Sequence, residues 1–233
     1  MQNPIIVALD VPTEEKALAL AGELAPVVGA FKIGSELFTS AGPDIVKKIR
    51  ATGASVFLDL KFHDIPNTVA KAVASAVRLD VQMLTIHTSG GSTMMQAAEK
   101  AAQETAQQTG RNAPLVLGVT VLTSLDGNEL AEVGLDSNVG RQVERLATLA
   151  AKSGLRGLVC SPLEIAGLRQ ILPREIQLVT PGIRLAGPSD DQKRTLSPRE
   201  AIDAGANWLV IGRPITGAEN PRAAAEAILQ TLQ

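Results

Sequence analysis

The sequence predicts a single (β/α)8 barrel of the TIM type spanning residues 1–233. Three observations carry that expectation. Eight short apolar runs recur along the chain, and a helical pattern follows each. The runs are almost continuously apolar, which implies burial on both faces, as in a parallel sheet covered by helices. Eight strand–helix units in 233 residues match this barrel near the short end of its range. A doubly wound open sheet is the alternative, but no Gly-x-Gly-x-x-Gly follows the first run. No shift in composition marks a domain boundary.

The first run, 5–9, ends at Asp10, and Thr13 then caps a helix whose first turn holds Glu14 and Glu15. The second, 30–33, carries Lys32 inside an apolar stretch. The third, 55–58, leads into Asp59-Leu60-Lys61-Phe62-His63-Asp64-Ile65-Pro66-Asn67-Thr68. The fourth, 83–86, meets His87, and Ala97, Ala98, Ala101 and Ala102 favour a helix after it. The fifth, 115–119, precedes Thr120, Thr123 and Ser124, and Val139, Val143, Leu146 and Ala150 then recur at helical spacing. The sixth is 157–160. The seventh, 176–179, is followed by Pro181 and by a loop, 182–192, rich in Gly, Pro and charge, as binding loops and lids often are. The eighth, 208–211, gives way to Gly212-Arg213, and Asn220-Pro221 opens the last helix.

Composition limits the function classes. A chain with 45% hydrophobic and 20% charged residues can build a core. A net charge of -2 argues against nucleic acid or an anionic membrane as the main partner. Cys160 is the only cysteine, so an internal disulfide is excluded and a reducing cytoplasm fits. Met1-Gln2-Asn3-Pro4 shows no basic region followed by a long apolar run, so neither a signal peptide nor a membrane span is expected. With no Tyr, one Trp and four Phe, a bound planar base would rest on aliphatic walls rather than stacked rings.

In such a barrel the active site lies at the C-terminal ends of the strands. Side chains two apart on a strand face the same way, so Asp59 and Lys61 should project together. A structural ion pair is one reading of them. With Lys32 and Asp64 nearby, a catalytic charge array is the other, because buried charges are costly unless each serves a purpose. Asp10 suits a helix cap as well as a ligand contact, and Lys32 could snorkel to the rim. Arg184, Gln192, Gly212 and Arg213 form a candidate phosphate site, since the loops after the seventh and eighth strands commonly bind phosphate in this fold. Two histidines and one cysteine make no usual His/Cys metal motif, and His87 reads as a hydrogen-bonded structural residue. The carboxylates could hold Mg²⁺, although the lysines beside them would compete with a cation.

The segment 59–68 resembles the signature of the orotidine 5′-phosphate decarboxylase family. The likeness extends over Ala8-Leu9-Asp10, Phe31-Lys32-Ile33-Gly34, Val119-Thr120-Val121-Leu122-Thr123-Ser124, Thr180-Pro181-Gly182-Ile183-Arg184 and Ile211-Gly212-Arg213-Pro214-Ile215. It implies decarboxylation of orotidine 5′-phosphate to UMP, the last step of pyrimidine nucleotide synthesis, without cofactor or metal. It also implies a homodimer with shared sites. By resemblance Lys61 is the proton donor, within an array of Lys32, Asp59 and Asp64. Asp10 and Lys32 would contact the ribose, and Thr123 and Ser124 the pyrimidine. Pro181 would touch substrate, while Arg184, Gln192, Gly212 and Arg213 would hold the phosphate. Asp64 and Thr68 would be supplied by the partner subunit. Two other readings stand beside this one. Metal-dependent sugar-phosphate decarboxylases or aldolases on the same barrel, of the kind related to ketogulonate-phosphate decarboxylase, share Asp-x-Lys-x-x-Asp, but typically carry a Glu metal ligand where Lys32 stands. A non-catalytic nucleotide-binding barrel is the third.

Overall fold

The structure, a computed structural model, describes residues 3–183 and 196–232. Eight parallel strands close into a barrel in sequence order: β1 (Ile5–Ala8), β2 (Ala30–Gly34), β3 (Ser55–Phe62), β4 (Met83–His87), β5 (Leu115–Val119), β6 (Gly157–Val159), β7 (Gln177–Thr180) and β8 (Trp208–Ile211). The ring is completed where β8 pairs with β1, Leu209 lying opposite Ile5.

Helices connect the strands. They are α1 (Glu14–Leu24), α2 (Ser35–Ala41), α3 (Asp44–Arg50), α4 (Pro66–Arg78), α5 (Gly91–Thr109), α6 (Gly127–Glu132), α7 (Val139–Lys152), α8 (Ile165–Ile171), α9 (Pro198–Ala204), α10 (Arg213–Thr216) and α11 (Pro221–Thr231). Short polar side chains start several of them. Thr13, Asn138 and Asn220 each accept a hydrogen bond from a first-turn amide, and Asp126 and Ser197 form reciprocal caps with Glu129 and Glu200.

The alternation of side chains along each strand divides the core in two. One set, including Ile5, Val7, Phe31, Ile33, Val56 and Leu58, packs outward against the helices. The other, including Ile6, Ala30, Phe57, Met83, Leu117 and Trp208, fills the barrel interior. The Trp208 indole donates to the Gln177 side chain at 2.7 Å, satisfying its one polar group. The apolar filling stops at Phe57 and Val210, and polar side chains take over above it.

The structure departs from the expected elements in two places that bear on function. β3 continues past the apolar run 55–58 to Phe62, so Asp59 and Lys61, expected at the strand's end, lie within it. The β2–β3 crossover holds two short helices, because Gly42, at φ 71°, and Pro43 interrupt what would otherwise be one.

Arg169 ties the far side of the ring together. From α8 its guanidinium donates to the carbonyls of Ile176 and Gly205 and to the Asn207 side chain, at 2.6–2.9 Å. Arg169→Ala should therefore lower unfolding free energy by about 2–4 kcal/mol, through acceptors left without a donor. Urea denaturation checks this, and an unchanged midpoint would remove the guanidinium from the ring's supports.

Candidate active site

The inward positions at the C-terminal ends of the strands form one cavity of about 530 Å³. That is the size of a small-molecule site. Asp10, Lys32, Asp59, Lys61, Thr123, Ser124, Pro181, Gly212 and Arg213 all line it, so nine expected residues from six segments of the chain meet in one place. Its apolar walls are largely aliphatic, with Val119, Val121, Val159, Ile183 and Val210, and with Phe57 as the one aromatic among its lining residues.

Charge of alternating sign runs across the floor. Lys32 Nζ lies 2.9 Å from Asp10 Oδ1 and 3.8 Å from Asp59 Oδ2. Lys61 Nζ donates to both oxygens of Asp59, each at 2.9 Å. The side chains of Lys32 and Asp59 are only 11% and 13% exposed, whereas that of Asp10 is 57% exposed. The two inner groups are thus largely removed from water and depend on one another for compensation. Gly34 makes room for this: a β carbon there would stand 3.0 Å from Lys32 Nζ and 3.2 Å from Asp10 Oδ1. With these ammonium groups on their oxygens, Asp10 and Asp59 are poor candidates for a cation site. Among the described residues, no group of three or more His, Cys, Asp or Glu side chains converges as metal ligands.

Lys61 and Asp59 meet as the period of two predicts, but on an irregular backbone. Pairing with β4 shifts between Leu58↔Leu84 and Phe62↔Ile86, so Asp59, Leu60 and Lys61 face Thr85 alone. Lys61 adopts φ 50°, a left-handed conformation uncommon outside glycine. Thr85, fully buried, accepts a hydrogen bond from the Lys61 amide at 2.9 Å and donates to Asp59 Oδ1 at 3.0 Å. Sequence reasoning passed over Thr85, which reads as one more β-branched residue in a strand. It also passed over Cys160 in the cavity wall, whose thiol burial pushes up to about 12.

Asp64 and Thr68 do not line the cavity. Both are exposed, beside an Ile65 that is 66% exposed, and Asp64 Oδ1 accepts from the Ile65 amide at 2.6 Å. Arg184 and Gln192 lie outside the described residues.

The comparisons with known proteins agree with one another. The model of the family described as "Orotidine 5'-phosphate decarboxylase / HUMPS family" matches residues 3–228. Orotidine 5′-phosphate decarboxylase of Pseudomonas syringae pv. syringae (strain B728a) is 53% identical over 232 residues, 99% of this chain and 98% of that protein. The crystal structure of orotidine 5′-phosphate decarboxylase from Lactobacillus acidophilus superposes with a TM-score of 0.89 at 38% identity, covering 99% of each chain. That of the Pyrococcus horikoshii OT3 enzyme gives 0.80 at 25% identity over 98% of each.

His87, at the end of β4, differs from the hydrogen-bonded residue expected: its ring packs against His63 at 5.4 Å, and no hydrogen bond holds it among the described residues. Burial lowers its pKa from the ordinary 6.5, and the nearby His63 and Lys61 add to the effect. The folded value lies below the unfolded one, so on acidification the unfolded chain takes up a proton first. The neutral ring therefore contributes stability that is full above about pH 6.5 and is lost as pH falls through the lowered value. The urea midpoint should drop more steeply below about pH 6.5 in the wild type than in His87→Gln. Parallel curves would mean that no proton is linked to folding at this ring.

Proposed function

The chain belongs to the orotidine 5′-phosphate decarboxylase / HUMPS family, and we propose that it converts orotidine 5′-phosphate to UMP and CO₂ in pyrimidine nucleotide synthesis, as one catalytic domain over residues 1–233. The observation that carries this reading is the Lys61 ammonium, set across Asp59 in a largely aliphatic cavity with a second ammonium, Lys32, behind it.

The chemistry follows from the arrangement. As the bond from ring carbon C6 to the carboxylate breaks, CO₂ departs and its bonding electrons stay on C6. That pair lies in the ring plane, where the π system cannot disperse it. A cation must therefore stabilise it, and an ammonium about 4 Å away contributes roughly 4 kcal/mol at an effective dielectric near 20. Lys61 then delivers a proton to C6, giving UMP, and regains one from solvent. No cofactor or metal enters these steps. Asp59 repels the substrate carboxylate before it leaves. Lys32 and Asp10 hold the ribose, and Thr123, Ser124 and Pro181 the pyrimidine end. Gly212 and Arg213 hold the phosphate, with Arg184 and Gln192 assigned there on sequence alone. Binding energy from that remote group offsets the desolvation of the reacting centre. The Lys32 ammonium stands where the metal-dependent relatives typically carry a Glu ligand, which favours decarboxylation without metal.

We further propose a homodimer in a reducing cytoplasm, with neither nucleic acid nor membrane as partner. The position of Asp64 and Thr68 outside their own chain's cavity, beside the exposed Ile65, supports sites shared between subunits. Among the described residues no helix is long and apolar enough to cross a membrane.

Lys61→Ala should lose at least roughly 10³-fold in turnover, followed at the pyrimidine absorption band, while still binding UMP. Full activity would refute the role of the amine. Arg213→Ala should raise KM strongly for orotidine 5′-phosphate and far less for the bare nucleoside, and equal effects on both would take Arg213 off the phosphate. For the shared site, inactive Lys61→Ala and Asp64→Asn proteins are unfolded together and refolded. Mixed dimers then carry one native site, so activity should return to roughly a quarter of wild type. No recovery would place Asp64 in its own subunit's site.

A further inference from the structure

We infer that Thr85 is a positioning residue for the decarboxylation, its buried hydroxyl orienting the Lys61 backbone and the Asp59 carboxylate together. The inference rests on the function proposed above.

The hydrogen-bond chemistry leaves the hydroxyl one orientation. An amide N–H can only donate, so toward Lys61 the Thr85 oxygen must accept, at 2.9 Å. Its single proton is then free for Asp59 Oδ1, 3.0 Å away. The same Oδ1 receives the Lys61 ammonium at 2.9 Å. Thr85 therefore closes a loop that runs from the Lys61 amide through the hydroxyl and carboxylate to the end of the Lys61 side chain. Both ends of the catalytic lysine are referred to one rigid point on β4.

The backbone explains why such a brace is needed here. Where pairing between β3 and β4 shifts, the Lys61 amide is bonded to the Thr85 side chain instead of a strand carbonyl. A buried amide with no partner would be costly. Left-handed geometry at a lysine is itself unfavourable and persists only where the surroundings impose it. Thr85 satisfies the amide and holds the strained residue in place. At zero exposure, its hydroxyl is also beyond the reach of competing water.

Two pairs of side chains isolate the hydroxyl: Thr against Val, which share a shape, and Ser against Ala, which lack the γ-methyl. Thr85→Val should lower kcat by roughly 10- to 100-fold while KM and UMP affinity stay within about threefold, since the pocket remains and only the reacting groups lose alignment. Thr85→Ser should keep kcat within about threefold of wild type, and Thr85→Ala should fall with Val. If Val does not fold, the Ser–Ala comparison decides alone. Equal kcat in the hydroxyl-bearing and hydroxyl-free members overturns the inference. So does a loss in Ser as large as in Ala, which would assign the position to methyl packing. An inactive wild type that still binds UMP would instead defeat the proposed function.

Discussion

Two ammonium groups lean on one carboxylate at the mouth of the barrel, and the rest of the site is built around keeping them there. Asp59 takes Lys61 on both oxygens at 2.9 Å and has Lys32 at 3.8 Å. Without it, two cations would face each other in a cavity that is largely apolar around them, where repulsion is poorly screened. Lys32 is steadied on its other side by Asp10, which reaches toward solvent. The array thus runs from the exposed Asp10 through the largely buried Lys32 and Asp59 to the partly exposed Lys61, with each charge answered by its neighbour. Closed barrels suit this purpose, because strands β1, β2 and β3 are fixed side by side by their ladders before any side chain is considered.

Most of the barrel obeys its local rules, and it breaks them at Lys61. A regular ladder through Phe62 would give each β3 residue one β4 partner. Instead, three residues stand against Thr85, and Lys61 takes a left-handed conformation. Irregular pairing of this kind re-aims a side chain, and strain of this kind gathers at functional sites. The deviation is local, since β2 and β3 stay in register as far as Gly34↔Asp59.

The sequence made much of this legible, and the limits have physical causes. Apolar runs of strand length located all eight strands, because parallel strands buried on both faces have little choice of composition. The same logic located the charged residues that line the cavity, since a charged residue at the end of such a run, like Asp59, has few structural reasons to be there. The length of β3 was not legible: the apolar run stops at Leu58, and Asp59 and Lys61 carry no apolar signal that would extend the strand to Phe62. Thr85 was hidden for the opposite reason. A threonine in a strand satisfies β propensity, so nothing in the sequence marks its hydroxyl as bonded to a residue 24 positions away. Cys160 was read only for its redox meaning, although the strand-end rule that selected Asp10 selects it too. Asp64 was grouped with Lys61 by charge and proximity in sequence, but it lies past the end of β3, exposed and outside the cavity of its own chain.

Under the proposed reaction, the ordering of charge in the described chain has a further consequence. The row Asp10, Lys32, Asp59, Lys61 ends on a cation that faces the cavity, so the next member should be negative. Two carboxylates would be available, that of the substrate and, in the proposed dimer, Asp64 from across the subunit boundary. If both arrive, the substrate carboxylate is crowded by anions, while ring carbon C6 faces the ammonium of Lys61. Departure of CO₂ changes no net charge in the site. It moves a negative charge away from the aspartates and onto an atom beside the lysine. An array fixed in advance by strand geometry favours that movement without rearranging during the reaction, which is where electrostatic catalysis gains over water.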